Sequence, residues 1–192
     1  PMRRRLLALS AAALTTAAVG LAGSPAQAAP AAPAAAPVTL AVTTLTYDDS
    51  LAGEFKSAVA TGVAALNSRV TNVRIVKVTT GQTANVRVIA DDGWPRATLG
   101  PIRPGGRGTV YMGRQAVWQG YYPPRIASHE FGHIVGLPDR RTGLCADLMS
   151  GSSAPTSCTN MYPNAREAAQ INYNYSFLAA AAAPGGLVLD AA

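Results

Sequence analysis

Histidine is nearly absent from this chain: of 192 residues, only His129 and His133 carry an imidazole. Cysteine is as scarce, with Cys145 and Cys158 alone, and aromatic residues make up 6%. Two cysteines exclude a disulfide-dense scaffold, so the fold must rest on one buried apolar core, which a chain of this length can build as a single domain. Charge is thin at 14%, and Lys and Arg are dispersed apart from the pair Arg140-Arg141. No basic stripe interleaves with aromatics, which excludes a polynucleotide groove. Of the 16 basic residues, Arg3, Arg4 and Arg5 fall in a leader without acids, leaving 13 against 10 acidic side chains, a net +3.

A long membrane-spanning run is missing too. The three arginines precede a short alanine-rich apolar stretch from Leu6 to about Ala22, and Ala26-Gln27-Ala28 supplies a small-x-small cleavage signal. This pattern predicts a secretory signal peptide over 1–28 and no membrane anchor in the mature form. Residues 29–37 are almost entirely alanine and proline and cannot bury enough surface to offset their ordering entropy, which predicts a linker or short pro-segment. The stretch holds neither Cys nor Asp, so it has no side chain of the kind that usually plugs a metal site.

The two histidines stand four residues apart in His129-Glu130-Phe131-Gly132-His133. On a helix that spacing puts both on one face, where neutral ring nitrogens converge on a single metal ion. A hydrolytic zinc site needs three protein ligands and an open fourth position, whereas a structural site is closed by four. With no further histidine, the third ligand must be an acid or a cysteine. Asp139 is placed for it, because Gly136 can take the left-handed conformation that turns the chain back under the metal. Glu130 follows a ligand by one position, beside the metal axis, and is the natural general base.

Cys145 and Cys158, in an exported protein, are most simply one disulfide, which would stabilise the fold by about 3 kcal/mol and staple the segment containing Met149. A pair of zinc thiolates is the other reading, although the spacing is not Cys-x-x-Cys.

Periodicity predicts a strand over 38–47, with Asp48-Asp49-Ser50 capping a helix whose apolar stripe is Leu51, Phe55, Val59, Val63 and Leu66. Strands are predicted over 70–79, 86–90 and 109–112, the last as the sheet edge above the cleft, with a Gly/Pro-rich loop over 99–108. Pro123 and Pro124 suit the entry of a helix from about Arg125 to Val135. Asn164 and Glu167 form a capping-box pattern opening a helix to about Tyr173. Residues 38–178 are thus expected to form the domain, and 179–192 remain an unassigned Ala/Gly-rich tail.

The pattern continues from His133 through Gly136 to Asp139 and is followed by Leu148-Met149-Ser150, and in this the chain resembles the metzincin clan of zinc peptidases. Gly-Leu-Pro-Asp at 136–139, Leu148-Met149-Ser150-Gly151, Ser157-Cys158-Thr159-Asn160 and Tyr162-Pro163-Asn164-Ala165 are similar to the snapalysin family of small secreted neutral proteases. The resemblance runs from about Thr43 to Tyr173 and is specific between 129 and 167. It implies a metzincin-like α+β fold: a small twisted mixed β-sheet with an edge strand over the cleft, packed on a core helix and an active-site helix, plus a C-terminal helix. It implies zinc on His129, His133 and Asp139, catalysis by Glu130, a floor under the metal from Met149, and a disulfide between Cys145 and Cys158. It also implies cleavage of extended polypeptides, with an aromatic residue preferred just after the scissile bond, by a monomer that engages neither nucleic acid nor membrane.

The chain departs from the family at three places. Relatives bind a structural calcium through an aspartate and a threonine just before the active-site helix, where this chain has Tyr122 and Pro124, so calcium is not carried over. Arg140-Arg141 stands where an aromatic tends to lie, and Arg141 would favour acidic or polar substrate residues instead. Gly151 occupies the place where some metzincins put an oxyanion-steadying tyrosine. The other reading is a secreted, non-catalytic binding module whose zinc is structural.

Overall fold

The β-branched runs form the strands of one mixed sheet in the computed structural model, which describes residues 42–79, 82–176 and the backbone of 187–189. The expected leader, the linker and most of the tail lie outside the described residues. The chain divides into two units, Pro1–Pro37 and Val38–Ala192, and the sheet belongs to the second. Its strands are β1 (Thr43–Leu51), β2 (Val73–Lys77), β3 (Val86–Asp91), β4 (Arg96–Thr98), β5 (Gly108–Gly113) and β6 (Leu187–Leu189), in the order β2-β1-β3-β5-β4-β6. β1, β2, β3 and β5 are parallel, whereas β4 runs antiparallel to β5 and β6 antiparallel to β4.

One face of the parallel strands is buried with period two: Leu45 and Tyr47, Val73 and Ile75, Val86 and Val88, Val110 and Met112. They share a core with Phe55, Val59, Val63 and Leu66, the stripe that brings α1 (Lys56–Asn67) against α3 (Pro123–Ile134). Phe131 of α3 is fully buried and meets Tyr47 of β1 edge to face at 5.6 Å between ring centroids. Burying a side chain of that size contributes roughly 1.5–3 kcal/mol. The remaining helices are α2 (Arg114–Trp118) and α4 (Ala165–Asn174), and 3₁₀ turns occupy Gly53–Phe55 and Leu148–Ser153. Among the described residues no helix is long and apolar enough to cross a membrane.

The α+β architecture agrees with expectation, and the differences have local causes. Asp48-Asp49-Ser50 does not cap α1 but continues β1, because the buried Asp49 carboxylate pairs at 2.8 Å with Lys77 Nζ at the end of β2. Leu51, expected on the helical stripe, is the last residue of that strand, opposite Ile89 across a register irregularity, and is 55% exposed. The helix then begins through the Gly53–Phe55 turn without a side-chain cap. The strand around Val110, expected at the edge, is interior: β4 folds back along it, and β6 lies outside β4. Three residues are too few for β4 to show a period, which is why it escaped notice.

Arg96 anchors β4. Its guanidinium donates to both Asp91 carboxylate oxygens, at 2.8 and 3.2 Å, and lies 3.9 Å from the centre of the Tyr111 ring. The Arg96 hydrogen bond holds the Asp91 carboxyl below its ordinary value, against a smaller opposing effect of burial. A carboxylate depressed in the fold contributes stability that is complete above the ordinary carboxylate range near pH 4 and is lost as the pH falls through the depressed value. Asp91→Asn should therefore flatten the acid limb of a stability titration between roughly pH 5 and 2 while leaving the neutral-to-alkaline part parallel to the parent. Chemical denaturation at stepped pH checks this, and an unchanged acid limb would contradict it.

Candidate metal centre

α3 starts where Pro123 and Pro124 occupy its first turn, at which missing amide protons leave no bond unmade. Every residue from Arg125 to Ile134 is buried, so α3 crosses the middle of the molecule rather than floating on its surface. Its last turn closes through Gly136 N–H to His133 O at 2.9 Å and Leu137 N–H to Gly132 O at 2.9 Å. Gly136 has φ +91°, the left-handed conformation that the turn to Asp139 requires. Asn174 at the end of α4 holds that turn from behind, donating to Val135 O at 2.9 Å and Gly136 O at 3.3 Å.

The structure brings His129, His133 and Asp139 together, with one donor atom from each lying within 4.8 Å of the others. Asp139 Oδ1 is 3.2 Å from His129 Nε2 and 3.5 Å from His133 Nε2. The two imidazoles stand edge to face with centroids 4.7 Å apart. Their far nitrogens are both engaged by the main chain: His129 Nδ1 bonds Leu148 O at 3.0 Å, and His133 Nδ1 bonds Leu137 O at 2.7 Å. A carbonyl can only accept, so each Nδ1 carries the proton and each Nε2 presents its lone pair to the centre. When both Nε2 atoms are protonated as well, burial still raises the Asp139 carboxyl, but the two imidazolium donors together outweigh it and hold the group well below the usual carboxylate range. Three preoriented donors at these separations fit one tetrahedral divalent ion with a corner left for solvent.

Glu130 is fully buried on α3 directly after His129, and its charge is felt at the Arg96 guanidinium of β4. Met149, fully buried, lies under the helix: a Cβ at Gly132 would come within 2.7 Å of its sulfur, so only glycine lets the two approach. Cys145 and Cys158 are joined across a sequence separation of 13, closing the loop that contains Met149. Tyr122 is the extended residue before α3 and Pro124 lies in its first turn. Arg140 is exposed, and Arg141 faces Asp139 rather than solvent alone.

Two residues that sequence reasoning passed over as site parts build the floor. Glu167, 2% exposed, completes the expected capping box with Asn164 and also accepts from Leu148 N at 3.1 Å and Met149 N at 2.8 Å. Arg125, 5% exposed, donates to Asn160 O at 2.5 Å, Asp147 O at 2.8 Å, Cys145 O at 3.3 Å and Leu148 O at 3.4 Å. The signal available for Glu167 was its place in the box, and for Arg125 nothing beyond its place one turn before His129. Between α2, α3 and the turn at Gly151 and Ser152 a narrow pocket abuts His129, lined also by Trp94, Tyr121, Tyr122 and Ile126. Trp94 and Tyr121 meet edge to face there at 6.0 Å.

Over residues 41–178 the chain matches the profile of the Streptomyces extracellular neutral proteinase family. It is 36% identical over 129 residues to the extracellular small neutral protease of Streptomyces caespitosus, covering 67% of this chain and 94% of that one. Proteins of the same name from Streptomyces coelicolor and Streptomyces lividans are 36% and 34% identical over 70% and 75% of this chain, which spans 60% and 63% of their lengths. A hatching enzyme zinc-protease of medaka, high choriolytic enzyme 1, superposes with a TM-score of 0.39 at 23% identity, over 53% of this chain and 47% of its own.

Proposed function

The chain belongs to the Streptomyces extracellular neutral proteinase family, and from that membership we propose that it is a secreted zinc-dependent endopeptidase. The observation that carries the reading is the convergence of His129 Nε2, His133 Nε2 and Asp139 Oδ1, with the Glu130 carboxylate one residue from the first of them. Among the described residues the cluster has three donors and no fourth His, Cys, Asp or Glu, which favours an open catalytic site over the closed structural one of a binding module.

Zinc, when held there, supplies a Lewis acid that polarises a carbonyl and brings the pKa of water down to roughly 7. Glu130 takes a proton from water as its oxygen attacks the carbonyl carbon of the scissile amide. The same carboxyl then returns that proton to the departing nitrogen, so each turnover ends with Glu130 ionised again. Burial of Glu130 and its neighbours keeps bulk solvent from competing for the proton, and Arg96 lies within electrostatic reach of it.

An extended peptide would pair with the outer edge of β4, the antiparallel strand that follows Trp94 and carries Arg96, in place of Leu187–Leu189. Leu187–Leu189 already runs antiparallel on its outer side, the polarity such a peptide would adopt. The pocket beside His129 supports a preference for an aromatic side chain just after the scissile bond, since Trp94 and Tyr121 offer ring edges and faces for it.

Chelation should abolish casein hydrolysis and added zinc restore it. Because the imidazoles must be deprotonated to ligate, activity should be highest near neutral pH and metal should leave progressively in acid. Digestion of a peptide library should enrich Tyr and Phe after the cut. Full activity after exhaustive chelation would overturn the zinc reading, and a library without that enrichment would overturn the preference alone.

A further inference from the structure

We propose that Arg141 is a positioning residue for Asp139, fixing which oxygen the carboxylate offers to zinc and thereby how tightly the ion is held. The inference rests on the reading of His129, His133 and Asp139 as the zinc ligands. The two oxygens of Asp139 have divided roles: Oδ1 faces both imidazole Nε2 atoms at 3.2 and 3.5 Å, while Oδ2 accepts from Arg141 Nη2 at 3.1 Å. A carboxylate free to rotate could present both oxygens to the ion and fill the corner that water needs. A guanidinium on Oδ2 prevents that and fixes the carboxylate plane.

The backbone makes an independent case. Among the described residues Arg141 is the one non-glycine residue with positive φ, at +47°. Glycine would adopt that conformation without strain, whereas a side chain there is disfavoured. The strained conformation delivers the guanidinium to Asp139, and the chain is held in it from behind, since Arg140 N and Arg141 N both reach Met149 O, at 2.8 and 3.4 Å. Nη1 extends to Ser152 Oγ at 3.4 Å, so the fork spans from the ligand to the far wall of the site. An exposed ion pair by itself contributes little. This one joins a half-exposed cation to a ligand whose side chain is only 14% exposed.

The test is the zinc dissociation constant, from competition with a chelator of known affinity at neutral pH, together with the thermal midpoint of the metal-free chain. Arg141→Gly should weaken zinc binding about 10- to 100-fold, while the metal-free midpoint stays level or rises as the strained φ is relieved. Arg141→Lys, which keeps charge but loses the fork, should fall between parent and glycine variant. Asp139→Ala serves as the reference for loss of a ligand. If Asp139→Ala loses zinc and Arg141→Gly binds within about twofold of the parent, the role given to Arg141 is wrong. If Asp139→Ala also binds as the parent does, the ligand assignment itself fails. Should the glycine variant not fold, Arg141→Lys decides: zinc held as tightly as by the parent overturns the proposal.

Discussion

Glu130→Gln should leave the chain folded and its zinc bound while casein hydrolysis falls by roughly a thousandfold or more, within the range that general acid–base catalysis supplies. Glutamine keeps the volume and the polar end of a side chain that is fully buried, so packing around it changes little. What it loses is a site for a proton. Water would then attack without a base, and the leaving nitrogen would depart without its proton. Zinc content by elemental analysis, the thermal midpoint and the steady-state rate separate these outcomes. A variant that lost its metal would have failed for another reason, and one that hydrolysed casein at the parent rate would remove Glu130 from the mechanism.

Glu167→Leu should have the largest effect on stability. One carboxylate takes the N–H groups of Leu148, Met149 and Asn164, at 3.1, 2.8 and 2.8 Å. Each buried donor left without an acceptor costs about 1–3 kcal/mol, and leucine leaves two such donors, at Leu148 and Met149, with the half-buried N–H of Asn164 besides. With partial relaxation, a loss of about 3–5 kcal/mol is expected, at the upper end of what one substitution does. At roughly 3 °C per kcal/mol for a domain of this size, that lowers the midpoint by about 10–15 °C. The metal centre should suffer with it, because Leu148 O is the acceptor for His129 Nδ1. Urea unfolding of the metal-free chain isolates the stability effect, and zinc affinity measured well below the midpoint isolates the other. A midpoint within a degree or two of the parent would show that the carboxylate is not the clamp its contacts describe.

The parts of the fold legible in the sequence are those with a strong local rule. The two prolines, the histidine spacing and Gly136 announce α3, its start within two residues and its end within one, and the capping box opens α4 where Asn164 and Glu167 put it. What escaped reading depends on partners distant in sequence. Asp48-Asp49-Ser50 has the composition of a helix cap, yet Lys77 and strand pairing hold it in the sheet. β4 has no period to read and exists because Arg96 bonds Asp91 and Ala97 pairs with Val110. For the candidate site, the spacing of His129, His133 and Asp139 is enough to expect the cluster they form. Arg125 could not be foreseen, because the four carbonyls it serves lie 20 to 35 residues away, nor could the backbone twist that turns Arg141 back toward Asp139.

Both imidazoles are aimed by main-chain oxygens, those of Leu137 and Leu148, and no exchange of side chain at those two positions removes an oxygen of the backbone. The aim is therefore insensitive to drift at the residues that provide it. It becomes hostage to whatever fixes the route of the chain: the left-handed bend at Gly136, the Glu167 carboxylate, the Arg125 guanidinium and the bridge between Cys145 and Cys158. Changes that misaim the imidazoles should thus gather at sites that never touch the ion, whereas apolar replacements of the Leu137 and Leu148 side chains should leave the aim intact.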